Sequence, residues 1–203
     1  MAVHSTLKKK ASADKRDRIL KAAIRVFAKN GFYATRVSEI AKAAGVADGT
    51  IYLYFKNKDD VLITIFEDGI QQLLGILREV ATSEQPFDER ITRIIELQLG
   101  LLEEQRDLAE VITVNLRQSS SLLKQYAAPL FMEYIDVIAG LVREGQKEGA
   151  FRKDINARVV ARSLFGALDA ILLTWALGEA DPASLRKAAA HCANLFLEGL
   201  RAR

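Results

Sequence analysis

Apolar residues recur along this chain at three- and four-residue spacing, the period of amphipathic helices, and no stretch alternates as a half-buried strand would. Between Asp14 and Asn30, residues Ile19, Leu20, Ala23, Ile24 and Phe27 fall on one helical face, and Gly31 supplies a stop. Thr35 is placed to cap a second, short helix through Ala44, whose inner face is Val37, Ile40, Ala41 and Ala44. After the tight Gly45-Val46-Ala47 connection, a third helix from Asp48 to about Phe55 turns Ile51 and Phe55 inward and Thr50 and Tyr54 outward. Longer helices follow over Asp59–Thr82, Pro86–Glu104, Arg106–Arg117, Leu122–Lys147, Asp154–Leu177 and Ala183–Leu200, with a break at Ser119–Ser121 and with Pro129 kinking or restarting the fourth of them. The expectation is an all-α protein of about nine helices. Residues 1–13 read as a flexible basic tail, 14–58 as a three-helix head and 59–203 as a larger helical body.

Two short helices joined by a glycine turn form a helix-turn-helix, whose second helix enters the major groove of DNA. The charge distribution agrees with that reading. Residues 1–60 hold 13 Lys/Arg against 6 Asp/Glu, net +7, whereas residues 61–203 hold 16 against 20, net −4. A basic head on an acidic body suits a polyanion that touches the head alone. Cys192 is the single cysteine, which excludes an internal disulfide and fits a reducing cytoplasm. No apolar run reaches the roughly 18 residues of a membrane span, so a soluble cytoplasmic protein is expected, without a membrane partner. Enzymatic chemistry finds no support: His4 lies in the tail, and His191 and Cys192 diverge by about 100° on a helix. No metal-ligand spacing or glycine-rich phosphate loop is present, so no cofactor or metal is expected.

The run from Val37 to Leu62, with Phe27-Ala-Lys-Asn-Gly-Phe32 and Thr35 before it, resembles the head of TetR-family repressors over residues 14–63. The resemblance implies that the hydroxyls of Thr35, Tyr52 and Tyr54 and the ammonium of Lys58 hold phosphate oxygens, with Arg36 beside them, which positions the protein without reading sequence. Ala47, Asp48, Gly49 and Thr50 would open the recognition helix, where Asp48 can accept from a cytosine amino group and Thr50 can touch a thymine methyl. Many relatives carry a capping Ser where this chain has Ala47, so the cap must come from elsewhere.

For the body, the resemblance implies dimerisation through the last two helices and a small-molecule site among the middle ones. A homodimer presents two recognition helices about one DNA turn apart to a palindromic operator, and a ligand that alters their separation weakens binding. Phe165, Asp169, Leu172, Trp175, Leu195 and Phe196 are the expected interface, with Asp169 seeking its partner across the dimer. The Ala47–Lys58 run and Leu116-Arg-Gln-Ser119 look like the FadR branch, which implies a repressor of fatty-acid degradation genes released by long-chain acyl-CoA. Leu73, Leu97, Leu101, Tyr134, Ile138 and Leu168 are candidates for the tail tunnel, with Arg106 and Arg117 at its mouth. A drug-like or aromatic effector is the alternative; it would want acidic and aromatic walls, and only 7% of the chain is aromatic. An effector-independent architectural DNA-binding protein is the rival of another class, and the large acidic body argues against it.

Overall fold

The computed structural model describes residues 2–118, 123–179, 181 and 183–202, and over these the chain is all-helical apart from one isolated bridge between Phe151 and Arg201. Helix α1 spans Ala2–Asn30, so the stretch expected as a flexible tail is helical. Residues 2–30 contain neither Gly nor Pro, and a helix nucleated on the Ile19–Phe27 face propagates backwards through good helix formers such as Lys and Ala. Gly31, at φ +77°, ends it.

Helix α2 (Val37–Ala44) takes its N-cap from Arg36, not Thr35: the Glu39 carboxylate accepts the Arg36 N–H at 2.7 Å. It closes on Gly45 at φ +65°, a conformation costly for any residue with a Cβ. Helix α3 covers only Asp48–Ile51, and beyond it the chain tightens, Leu53 N–H bonding Thr50 O at 3.2 Å and Tyr54 N–H bonding Ile51 O at 3.0 Å. This is shorter than the Asp48–Phe55 span expected, and its start has no side-chain cap, as Ala47 dictates.

Helix α4 (Lys58–Ala81) begins on Asn57, whose side chain accepts the Asp60 N–H at 2.8 Å, and continues from head into body. Helix α5 (Phe87–Gly100) is followed by α6 (Arg106–Glu110), which winds on through wider turns over Val111–Asn115 and a tighter turn over Leu116–Gln118. The expected break at Ser119–Ser121 lies outside the described residues. Wide turns over Leu123–Ala127 lead into α7 (Ala128–Glu148), so Pro129 sits in a first turn and starts that helix rather than kinking it. Helices α8 (Ala157–Leu177), capped by Asn156, and α9 (Ala183–Leu200) complete the body. By length and composition α8 could cross a membrane, with a window of mean hydropathy 1.5, against the expectation that no apolar stretch would. Its Leu164, Leu168 and Leu172 are buried in the body's core.

Two apolar cores result. The head core gathers Ile19, Ala23, Phe27, Ile40, Ile51 and Phe55 with Val61, Leu62 and Ile65 of α4, so it extends past residue 58. It also takes in Val111 and Leu116 from the α6 segment and Ala127 before α7. The body core is built on Leu74, Leu77, Ile91, Ile94, Ile95, Tyr134, Ile135 and Ile138, closed by α8 and α9.

Gly145 of α7 carries the Phe151 ring so closely that an added Cβ would lie 2.4 Å from Cδ2, and that ring stacks edge-on against Phe87. Gly145→Ala is expected to cost about 1–3 kcal/mol and lower the melting temperature. Gly140→Ala, with nothing within 4 Å of the new methyl, is expected to be neutral or stabilising. Thermal denaturation of the two variants side by side checks both.

Candidate DNA interface and effector cavity

At the amino end of α2 lies a shallow cleft of about 450 Å³ lined by Thr35, Arg36, Val37, Ser38, Asp48, Tyr52 and Lys58. The Val37 and Ser38 N–H groups at the start of α2 and the helix dipole favour an anion there, whereas the Glu39 N–H is taken by Arg36 O at 3.1 Å. Arg36, Ser38, Asp48, Gly49 and Tyr52 are exposed on this face. Two residues that the resemblance assigned to phosphates are committed elsewhere. The Thr35 hydroxyl, buried, donates to Gly31 O at 2.8 Å. The Lys58 ammonium donates to the carbonyls of Phe32, Tyr33 and Thr35 at 2.7, 3.1 and 2.9 Å and lies 4.6 Å from the centre of the Phe32 ring. Both therefore fix the loop between α1 and α2 from behind. Tyr54 is half-buried against the head core, its hydroxyl accepting from Ser12 at 3.4 Å. Ser38 and Leu53 were missed from sequence. Leu53, 80% exposed, lies two residues from both Ile51 and Phe55, which point inward, so the helical period could have placed it outward.

In the body, α4, α5, the α6 segment, α7 and α8 enclose a cavity of about 430 Å³. Of the expected tunnel residues, Leu73, Leu101 and Tyr134 line it. Leu97 does not, and Ile138 and Leu168 are buried in the body core instead. Phe165, Asp169 and Leu172, expected at the dimer interface, face this cavity. Phe165 stacks edge-on against Phe131 and Tyr134, with ring centres 4.5 and 5.3 Å apart. Asp169 finds its partner within its own chain, accepting from Arg117 at 2.5 Å. On α8, one helical turn from Phe165, Asp169 faces the cavity that Arg117 of the α6 segment also lines. Arg106 is not at the mouth: it donates to Gly178 O and stacks 4.6 Å from the Trp175 ring, covering that buried indole. Deep in the wall the Tyr134 hydroxyl donates to Gln98 Oε1 at 2.7 Å. Burial pushes this phenol above its ordinary value, with the Gln98 bond working against the shift and nearby Cys192 adding to it.

The cavity wall is also a wall of the head. Within the α6 segment, Ile112, Thr113, Leu116 and Arg117 face the cavity, while Val111 and Leu116 belong to the head core. Asn115, buried between them, accepts the Phe32 N–H at 2.7 Å, and Tyr33 donates to Gln118 O at 3.0 Å.

Comparison with known proteins settles the class. The family of bacterial regulatory proteins named for tetR matches residues 19–65, and the YsiA-like protein C-terminal region matches residues 66–199. The chain belongs to the TetR family. As a TetR-family member, as the Val37–Leu62 run suggested, it is a DNA-binding transcriptional regulator, and it is of the FadR type, as the Ala47–Lys58 run and Leu116–Ser119 suggested. The fatty acid metabolism regulator protein of Bacillus subtilis is 35% identical over 161 residues, 79% of this chain and 83% of that protein. The fatty acid degradation regulator FadR of Bacillus halodurans superposes with a TM-score of 0.84 at 34% identity, covering 93% of this chain and 97% of that one. FadR of Bacillus subtilis, solved in complex with stearoyl-CoA, superposes at 0.81 with 33% identity, covering 90% and 97%.

Within this TetR-type head, Lys58→Met removes three charge-assisted hydrogen bonds and strands their acceptors. It is expected to cost about 2–3 kcal/mol of stability while leaving the slope of log Kd against log salt unchanged. Loss of a phosphate contact would instead lower that slope by about one. Thermal denaturation and a salt series on DNA distinguish the two roles.

Proposed function

We propose that this regulator binds a palindromic operator as a cytoplasmic homodimer, represses fatty-acid degradation genes and is released by long-chain acyl-CoA, without catalytic activity of its own. The observation that carries the reading is the largely apolar body cavity with a charged pair on its wall, one side of which is shared with the head core. An acyl tail suits walls of Leu73, Leu101, Leu102, Leu108 and Ile112, and Arg117, which holds Asp169 through Nη2 and is 42% exposed, has further N–H donors for the polar carrier. The likeness to FadR bound to stearoyl-CoA supports the same ligand class.

On the DNA side, Arg36, Ser38, Tyr52 and the α2 N-terminus grip phosphates, while Asp48, Gly49 and Thr50 meet base edges. For the dimer, α8 and α9 present a shallow groove lined by Val159, Val160, Leu195 and Phe196, with Leu195 73% and Val159 59% exposed. Pairing two such faces about a two-fold axis removes that apolar surface from water.

Release follows from the shared wall. A tail that displaces Ile112 or Leu116 moves Asn115 and Val111 with them, and the Asn115 bond carries the shift to the loop that leads into α2. A drug-like cation has one observation in its favour, the grouping of Phe66, Phe131, Tyr134 and Phe165 with Asp169. Arg117 already neutralises that carboxylate, so a cation would first have to break the ion pair.

The test is a mobility-shift titration on the DNA upstream of this protein's own gene, over a salt series, with and without stearoyl-CoA. Acyl-CoA should abolish a specific, salt-sensitive complex; a specific complex that survives every lipid removes the fatty-acid role and leaves the regulator. In the same assay Asn115→Leu should still bind stearoyl-CoA, yet the ratio of DNA Kd with and without ligand, about 5–150-fold for such couplings, should fall toward one. An unchanged ratio would take Asn115 off the path.

A further inference from the structure

The polar groups on the cavity wall are almost all occupied. Gln105 donates to Leu101 O at 2.8 Å, Thr113 to Ala109 O at 2.7 Å, and Arg117 is paired with Asp169. Gln72 is exposed and solvated. Gln98 differs. It is 5% exposed, and its Oε1 accepts the Tyr134 proton, but its two Nε2 protons have no acceptor among the described residues. The only side-chain nitrogen or oxygen among those residues that is both sealed in and unpartnered is Trp175 Nε1, so Gln98 Nε2 opens onto the cavity that Gln98 lines. The Tyr134 phenol, a protonated donor at neutral pH, holds the oxygen end of the carboxamide. The nitrogen end is thereby turned to the open space.

We propose that Gln98, oriented by Tyr134, is the donor that binds the carbonyl oxygen of an acyl thioester in this cavity, so that the site reads the thioester as well as the hydrocarbon. This rests on the acyl-CoA reading above and adds the group on the ligand that is recognised. A hydrocarbon tail offers no acceptor and would leave a buried N–H₂ unmatched, a loss that a carbonyl removes. The thioester carbonyl is the first acceptor met beyond the tail, where the neutral pantetheine arm of the carrier begins. The wall supplies a matching sequence of surfaces: Gln98, then Tyr134, then Phe165 against it, then Asp169 with Arg117 one helical turn along α8, about 6 Å away.

Calorimetric titration with stearoyl-CoA and with S-octadecyl-CoA, the thioether that lacks only the carbonyl oxygen, tests the assignment on the intact protein. The wild type should bind the thioester about tenfold more tightly. Gln98→Met, similar in length but without the donor, should bind both within about twofold. Tyr134→Phe, which releases the carboxamide without removing it, should give an intermediate ratio, a result that a merely structural role for Tyr134 would not produce. Should Gln98→Met fail to fold, the wild-type ratio still decides. Equal binding of thioester and thioether by the wild type overturns the proposal and leaves the acyl-CoA reading intact, as does a preference that persists in Gln98→Met. Failure of the wild type to bind either ligand overturns both.

Discussion

The Asn115 carboxamide accepts the Phe32 N–H at the mouth of the loop between α1 and α2, a buried hydrogen bond that ties body to head. Phe32 N–H follows the end of α1 at Gly31 and would be an orphan donor inside the head without it. The partner comes not from the head but from the irregular α6 segment, whose other face is the cavity wall. Wider turns over Val111–Asn115 change the angular spacing of side chains from that of a regular helix, so one short stretch can direct Val111 and Asn115 to the head and Ile112 to the cavity. The head is thus incomplete without a piece of the cavity wall.

The same economy governs the cations. Lys58, the conspicuous basic residue at the end of the helix-turn-helix, uses its protons on three converging carbonyls and so shapes the cleft from behind. Thr35 does likewise with its hydroxyl. What that face leaves exposed is the rank of Arg36, Ser38 and Tyr52. In the body, Arg106 is spent on Trp175 and Gly178 O, while Arg117 holds Asp169 at the cavity. A basic composition therefore says less about the ligand-facing surface than the carbonyls and carboxylates that compete for each cation.

Much of this was legible in the sequence where one periodicity decides the outcome. The Ile19–Phe27 stripe, the Gly31 and Gly45 stops and the inward Ile51 and Phe55 all lie where spacing placed them. Leu73, Leu101 and Tyr134 on the cavity wall were legible as apolar faces of the middle helices. Most of what escaped depends on contacts between residues far apart in the chain. The cap of α2 is an exception: Thr35 gives its hydroxyl to Gly31 O four residues back, and Glu39, three residues beyond Arg36, takes the Arg36 N–H, a capping-box spacing that was there to be read. Asp169 looked like an interface residue because Arg117, 52 positions away, is invisible to any helical wheel. Leu97, Ile138 and Leu168 have the same chemistry as the true lining residues, and only the angle at which each helix meets its neighbours separates wall from core. The basic start of α1 read as a tail because charge masks helix propensity when no apolar stripe accompanies it.

Because Val111, Leu116 and Ala127 are packed among head residues, the boundary that matters for engineering is not the one along the chain. A chimera that grafts residues 1–58 onto another body would leave those apolar sockets empty and the Phe32 amide unpaired. The head that packs as a unit is discontinuous: residues 1–58, the first two turns of α4, and Val111, Asn115, Leu116 and Ala127 from the body.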